Sequence, residues 1–219
     1  MRKIIVGAFV SLDGVMQAPG GPHEDPVGGF AHGGWAFPYF DEVGHAAVRE
    51  MMAEPFDLLL GRKTYDIFAA HWPHAGPDDW IGNLFNRVTK YVASRQPRPA
   101  LSWQNSRHLG PDAVAALREL KSAAGPALLT QGSTEFLKHL FAAGLVDEMR
   151  LFIMPLLLGR GKRLFGEDAQ PAAMTLAGSK VSGTGVTINT YRRGGAVATG
   201  SFAFEQPTQA ELERRKNWS

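Results

Sequence analysis

The sequence contains no cysteine among its 219 residues. Disulfides, thiolate nucleophiles and sulfur-ligated metals are therefore excluded, although this absence does not indicate a cellular compartment. The sequence also lacks a block of basic residues, since its formal net charge is +2 and its Lys and Arg residues are scattered. A surface that follows a phosphate backbone needs clustered cations, so the charge pattern disfavours binding to nucleic acid.

Long apolar segments are absent as well. No stretch approaches the ~20 apolar residues that are needed to span a bilayer. The apolar run at residues 4–10 is short, is interrupted by Gly7 and reaches Asp13 without a small-residue cleavage site. It predicts a first strand and not a signal peptide. We therefore expect a soluble, cytoplasmic protein.

The length and the hydrophobic content of 44% allow one substantial core. Residues 1–204 show no break in composition and are predicted to form a single domain. Residues 205–219 are polar and are predicted to form a tail, with residues 210–216 helical by propensity.

Predicted strands alternate with predicted helices over most of the chain, which is typical of an α/β fold. The strands are predicted at residues 4–10, 56–60, 90–93, 127–130 and 148–154, and the helices at residues 41–53, 62–70, 80–88, 111–123 and after 134. Three further strands, at residues 174–181, 185–192 and 196–204, have no helices between them. We expect a mostly parallel sheet with antiparallel strands added at its C-terminal edge.

Residues 14–34 contain seven glycines and three prolines. This segment is too rich in both to form a regular element and too long for a simple connection. It is interpreted as a mobile loop, a lid over a site.

Four segments with small, polar or basic residues follow predicted strands. They are Ser11-Leu12-Asp13-Gly14, Gly61-Arg62-Lys63-Thr64, Ser94-Arg95 and Gly132-Ser133-Thr134. Ligands of open α/β sheets bind at the carboxyl ends of the strands, and the first turn of a helix has unpaired N–H groups that suit a phosphate. Each segment alone is more typical of a helix cap or a solvated turn, and no Walker or G-x-G-x-x-G motif is present.

The order of these segments resembles a known family. In chain order the residues are Ser11-Leu12-Asp13-Gly14, Trp35-x-x-Pro38, Leu58-Leu59-Leu60-Gly61-Arg62-Lys63-Thr64-Tyr65, Ser94-Arg95, and Leu129-Thr130-Gln131-Gly132-Ser133 before a leucine-rich helix. Over residues 3–204 the chain is similar to the dihydrofolate reductase superfamily, in the branch of the riboflavin-biosynthesis reductase domain. The resemblance implies a dihydrofolate reductase-like three-layer α/β/α fold.

The resemblance also implies an NADPH site and a small-molecule substrate. It assigns phosphate binding to Gly61, Arg62, Lys63 and Thr64, the adenosine 2′-phosphate to Ser94 and Arg95, and the pyrophosphate to Gln131, Gly132, Ser133 and Thr134. Gln131 and Ser133 flank a single glycine where the family has a paired-glycine turn. Hydride passes directly from the nicotinamide in this family, to a pterin or dihydrofolate-like ring or to a 5-amino-6-(5-phosphoribosylamino)uracil-like substrate. Because relatives of this branch commonly associate, a homodimer is also implied.

Two departures from the family concern the substrate. The folate reductases have an acidic residue after the Trp-x-x-Pro element, and Phe40 falls near that position here. Asp41 and Asp13 are the candidates for the catalytic acid, although a first-turn Asp is also a common helix cap. Trp35, Phe37 and Phe40 either line a flat substrate pocket or belong to the core. His71 and His74 lack a third ligand, so no metal is expected.

Two other functions stay open from the sequence. The chain could be a non-catalytic nucleotide-binding or scaffold protein that retained the reductase fold, because no residue is clearly the proton donor. Binding of DNA or RNA would require the scattered basic residues to lie on one face.

Overall fold

The computed structural model describes residues 1–166 and 169–218. Within these residues there are eight strands: β1 Ile4–Ser11, β2 Phe56–Gly61, β3 Lys90–Ala93, β4 Ser106–His108, β5 Ala127–Thr130, β6 Glu148–Met154, β7 Ala173–Val181 and β8 Thr187–Gly195. The six α-helices are α1 Glu42–Met51, α2 Arg62–His71, α3 Trp80–Arg87, α4 Ala113–Ser122, α5 Thr134–Ala142 and α6 Gln209–Lys216.

All eight strands belong to one sheet, in the order β4-β3-β2-β5-β1-β6-β8-β7. The six strands from β4 to β6 are parallel, and β8 and β7 are antiparallel to their neighbours. A parallel pair requires a crossover connection, whereas the hairpin β7–β8 needs only a turn. The predicted fold class is confirmed.

Strand β1 shows why the sheet is covered on both faces. Ile4, Val6, Ala8 and Val10 join the cluster of buried side chains that includes α4 and α5, whereas Ile5 and Phe9 pack on the cluster that includes α1, α2 and α3. Successive side chains of a strand point to opposite faces, so a strand that is apolar at every position needs a helical layer on each side.

The structure differs from the sequence prediction at two strands. Strand β4 was not predicted, because three polar residues carry no strand pattern; it forms where Asn105 accepts the N–H of Lys90 and aligns the segment with β3. The predicted strand at residues 196–204 is wrong. The chain leaves the sheet at Gly195, and residues 196–204 are exposed at every position and pair with no strand, so they bury no face that would hold them on the sheet.

The glycine-rich loop is irregular apart from a short 3₁₀ turn at Val27–Gly29, and parts of it are held together by hydrogen bonds within the loop. The amide of Gln17 donates to the main-chain oxygens of Asp25 and Val27, both at 2.9 Å. Movement of this loop as a lid stays a prediction. Helix α6 confirms the predicted helix of the tail and buries no residue. In the part of the chain that the structure describes, no helix has the length and apolar character needed to cross a membrane.

Lys90 is fully buried beside β4. Its ammonium donates to the main-chain oxygens of Asn86 (3.2 Å) and Val88 (3.0 Å) and lies 4.3 Å from the ring centroid of Trp103. Burial lowers the pKa of Lys90 from 10.5 to about 8. Between these two pH values the folded protein holds fewer protons than the unfolded chain, so its stability increases as the pH rises through this window.

We expect the free energy of unfolding of the wild type, relative to Lys90→Met, to rise by about 1 kcal/mol between pH 7 and pH 9. Urea denaturation of both proteins at both pH values measures this difference. Lys180→Met is the matched control, since the Lys180 side chain is 52% exposed, and it should show a much smaller change. Parallel pH profiles of wild type and Lys90→Met would contradict the expectation.

Candidate functional site

A cleft of about 730 Å³ lies beside the carboxyl ends of β2 and β5. It is bounded by the middle of β1, the glycine-rich loop, one face each of α1, α2 and α3, and the segment before α5. The lining residues are Gly7, Ala8, Phe9, Met16–Asp25, Ala36, Phe37, Phe40, His45, Val48, Arg49, Met52, Lys63, Thr64, Ile67, Phe68, His71, Trp72, Trp80, Ile81, Phe85, Gln131–Thr134 and Lys162.

Two helices that begin at this cleft, α2 and α5, lack side-chain caps. Helices α1, α3, α4 and α6 each begin with an Asp or Thr whose side chain accepts a main-chain N–H of the first turn. Helix α2 begins after Gly61 and α5 after Ser133, and neither residue caps its helix through its side chain. The first-turn N–H groups of α2 and α5 are therefore available to an external acceptor, and the helix dipole makes that acceptor preferably an anion.

Close packing between the two helix starts depends on glycine. A Cβ on Gly61 would lie 2.9 Å from the main-chain nitrogen of Ser133 and 2.9 Å from the Cβ of Phe136. Gly132 has a φ of 143°, and a Cβ there would lie 2.7 Å from Oγ1 of Thr64. The N–H of Gly61 donates to the oxygen of Gly132 at 3.1 Å. The two junctions thus form one continuous backbone surface.

The structure brings most of the predicted cofactor-binding residues to one place. Six of them line the cleft, namely Lys63, Thr64, Gln131, Gly132, Ser133 and Thr134. Arg62 and Ser94 lie at adjoining strand ends, because the preceding residues Gly61 and Ala93 are paired across β2 and β3. Arg62 forms an ion pair with Asp66 at 2.8 Å and donates to the oxygen of Ala100 at 3.0 Å. Arg95 is exposed and follows Ser94 outside the cleft.

Neither predicted acid lines the cleft. Asp13 accepts the hydroxyl of Ser11 (2.6 Å) and the N–H groups of Leu158 (3.1 Å) and Gly159 (2.8 Å), so it fixes the loop after β6. The hydrogen bond from Ser11, with those from the two N–H groups, lowers the pKa of Asp13 to about 2. Asp41 caps α1 by accepting the N–H of Gly44, which lowers its pKa, and it also accepts the N–H of Gly183. A proton-donor role for either residue stays a prediction.

Glu24 differs from both in its environment. It lines the cleft, its carboxylate accepts the N–H of Gly20 at 2.7 Å, and burial raises its pKa. A raised pKa keeps a carboxyl group protonated at higher pH, as an acid catalyst requires. Sequence reasoning missed Glu24, together with Asp25, His45 and Lys162, because isolated residues in a glycine-rich loop, on a helix face and in a distant loop carry no recognisable spacing.

Two of the three predicted pocket aromatics line the cleft. Phe37 is largely exposed along it, and Phe40 packs edge-on against Phe9 with ring centroids 5.2 Å apart. Trp35 instead lies in the core, where its indole N–H donates to the oxygen of Gln17 at 2.7 Å. The structure therefore gives Trp35 a packing role. Phe68, Trp72 and Trp80, which sequence reasoning did not assign to the pocket, complete an aromatic wall.

No group of three or more potential metal ligands occurs among residues 1–166 and 169–218. His71 lies at the end of α2 with its ring against that of Trp72, at a centroid distance of 4.7 Å.

Comparison with known proteins agrees with this geometry. Residues 2–188 match the family described as RibD C-terminal domain. The uncharacterized protein YyaP of Bacillus subtilis (strain 168) is 25% identical over 201 residues, which cover 89% of this chain and 96% of YyaP.

Solved structures share the fold at low sequence identity. A protein of Shewanella sp. PV-4 whose name suggests a role in riboflavin biosynthesis is 22% identical with a TM-score of 0.61, over 88% of this chain and 99% of that chain. A pyrimidine reductase-like protein of Corynebacterium diphtheriae is 13% identical (TM-score 0.56; 88% and 92%). Dihydrofolate reductase of Enterococcus faecalis, solved with NADP(H), is 14% identical (TM-score 0.52; 87% and 96%).

These matches confirm the suspected superfamily and its branch, and with them a fold that is shared with reductases. Because the matching region extends from just before β1 to the start of β8, it includes the cleft, both uncapped helix starts and the glycine-rich loop. The chain belongs to the RibD C-terminal domain family.

Proposed function

We propose that this protein is an NADPH-dependent reductase that transfers hydride to a small heterocyclic substrate in the cleft. One observation carries the proposal: the two helices that lack N-terminal side-chain caps, α2 and α5, begin at the same cleft, which also has an aromatic wall. A dinucleotide needs anion-binding groups for its phosphates and flat apolar surfaces for its rings, and this cleft offers both.

The residues present fit the cofactor. The first turns of α2 and α5 supply main-chain donors, and the hydroxyls of Thr64, Ser133 and Thr134 add further donors along the cleft. The absence of a side chain at Gly61 and Gly132 lets the two helix starts approach one another closely. Arg62, with Ser94 and Arg95 at the next strand end, would bind the 2′-phosphate, for which a guanidinium fork is well suited.

NADPH, when bound, would supply the hydride. The protein's own contribution is to align the rings, exclude water and deliver a proton. Phe9, Phe40, Phe68 and Trp72 form apolar walls of the cleft and would help to exclude water once cofactor and substrate are bound. Glu24 is better placed than Asp13 or Asp41 to deliver the proton, because it lines the cleft and burial raises its pKa.

The aromatic residue that precedes α1 affects which substrate the cleft can bind. Phe40, near the position of the acidic residue of folate reductases, packs on Phe9 and offers no hydrogen bond to a pterin. A ribosylated pyrimidine is therefore favoured over dihydrofolate. The names of the Shewanella and Corynebacterium proteins point to the same class of substrate.

Titration of the purified protein with NADPH, NADH and FMN, followed by fluorescence and thermal stabilisation, tests the proposal. We expect selective binding of NADPH, followed by its oxidation when the correct pyrimidine riboside is added. Absence of binding to all three would refute the reductase and favour a non-catalytic relative.

Changing Arg62 and Arg95 together to alanine should weaken NADPH binding roughly 30-fold, about 2 kcal/mol, because charge-assisted bonds to phosphate are lost. NADH binding should change little. Arg214→Ala combined with Arg215→Ala is the matched control, since it removes the same charge from α6. A folded Arg62/Arg95 variant that binds NADPH as tightly as wild type would refute the phosphate assignment.

A further inference from the structure

Asp25 of the glycine-rich loop lies between two lysines of the cleft. Its Oδ1 accepts from Nζ of Lys63 and its Oδ2 from Nζ of Lys162, both at 2.6 Å. Asp25 is only 7% exposed, and all three residues line the cleft. One carboxylate thus connects the glycine-rich loop, the first turn of α2 and the loop after β6.

The charges of this cluster do not balance. Two ammonium groups face one carboxylate, which leaves a net charge of +1 at a partly buried position. Burial opposes ionisation of Asp25, but the hydrogen bonds from Lys162 and Lys63 outweigh it and lower the pKa of Asp25. Each ammonium has three donors, and one donor of each lysine is used by Asp25. The two lysines therefore form a preorganised receptor for an anionic oxygen group.

The chain around Asp25 forms an irregular segment of the glycine-rich loop. Pro19, Gly20, Gly21 and Pro22 precede it, and Pro26, Gly28 and Gly29 follow it. Only a short 3₁₀ turn interrupts this irregular segment. Lys63 is held by α2, and the main-chain N–H of Lys162 is held by the side-chain oxygen of Gln17 at 3.0 Å. The amide of Gln17 also holds the main-chain oxygen of Asp25 at 2.9 Å, so displacement of the carboxylate requires rotation of the Asp25 side chain.

We propose that Lys63 and Lys162 together bind an anionic group, a phosphate or a carboxylate, of a molecule in the cleft, and that Asp25 competes for this site. Asp25 occupies the site in the structure and is displaced when the anion arrives. Lys162 lies in the loop after β6, far in sequence from every segment assigned to the cofactor. The inference rests on the proposed function in one respect only, because both take the cleft as the place where the ligand binds.

Calorimetric titration with inorganic pyrophosphate at low salt tests this site without nicotinamide. Lys162→Gln should weaken binding about tenfold, because one charge-assisted bond is lost. Asp25→Asn should tighten binding about fivefold, because the competing charge is removed while the side chain keeps its size. The controls are Lys180→Gln and Glu50→Gln, which alter an ion pair outside the cleft and should each change the affinity less than twofold.

If Lys162→Gln binds pyrophosphate as tightly as the wild type, the lysine pair is not the anion site. If Asp25→Asn binds pyrophosphate more weakly than the wild type, Asp25 does not compete with the anion. If Asp25→Asn fails to fold, as judged by circular dichroism and thermal unfolding, Lys162→Gln still decides whether the lysine pair binds an anion. Absence of any pyrophosphate binding to the wild type overturns the proposal outright.

A second titration identifies which molecule supplies the anion. If saturating NADPH abolishes the Lys162-dependent binding of pyrophosphate, the site takes a phosphate of the cofactor. If this binding persists in the NADPH complex, the site takes an anionic group of the substrate; both results support the lysine pair. Failure of the proposed function gives a different result. If the wild type binds pyrophosphate through Lys162 but does not bind NADPH, the anion site is supported and the reductase proposal is refuted.

Discussion

Asp57→Ala is expected to lower the free energy of unfolding by about 3 kcal/mol or more, because it leaves a buried guanidinium without its carboxylate. Arg2 is 4% exposed and forms an ion pair with Asp57. The guanidinium also donates to the oxygen of Pro126 at 2.7 Å and lies over the ring of Tyr91. None of these contacts replaces the lost charge. Urea denaturation at pH 7 measures the change.

An exposed ion pair provides the matched control for Asp57. Glu50 accepts from Lys180 at 2.7 Å, but the two side chains are 61% and 52% exposed. Water solvates the remaining lysine in Glu50→Ala, so that variant should lose no more than about 1 kcal/mol. Similar losses in the two variants would show that burial of Arg2 does not determine the effect. Replacing both members of the buried pair by apolar residues should restore much of the lost stability.

Gly61→Ala is expected to destabilise the fold by about 3 kcal/mol, at the upper end of the cost of overpacking. The added methyl group would meet the main-chain nitrogen and the hydroxyl of Ser133 and the Cβ of Phe136. A main-chain atom and a Cβ cannot turn away as the end of a flexible side chain can. The start of α5 must therefore move, so any NADPH binding should weaken as well. Urea denaturation and NADPH titration of the same variant measure both effects.

Gly178→Ala is the control for this substitution. Gly178 lies in strand β7, and a Cβ there would meet no atom within 4 Å. Alanine also restricts the unfolded chain more than glycine does, so this variant should be neutral or slightly more stable. If Gly61→Ala retained the stability of Gly178→Ala, the close approach of the two helix starts would not constrain residue 61.

The order of strands and helices was predictable because local signals agreed with one another. Apolar runs such as Ile4–Ser11 are bounded by glycine and polar residues, and the helices α1, α3 and α4 begin with an Asp that caps them. The local sequence pattern did not predict strands correctly where strand pairing depends on residues that are distant in the chain. Strand β4 forms only because β3 lies beside it, and residues 196–204 form no strand because they stay exposed and pair with no neighbour.

The candidate site was predictable only in part, for a related reason. Gly61 to Thr64 and Gln131 to Thr134 form contiguous motifs at strand ends, and the parallel sheet brings such ends together. Glu24, Asp25 and Lys162 have no motif of their own. Asp25 and Lys162 are 137 residues apart in the chain and meet only when the glycine-rich loop and the loop after β6 close over the same cleft.

The sequence by itself determined the class of fold, the order of most elements and the segments that open α2 and α5, because each of these depends on local patterning and local backbone freedom. The tertiary structure decided which residues share the cleft, that Trp35 and Arg2 are buried, and that Asp13 and Asp41 fix loops outside it. Those outcomes depend on burial and on contacts between residues that are remote in the chain. Local sequence does not predict these contacts, because the partners and the pKa of a carboxylate depend on the residues that the folded chain places around it.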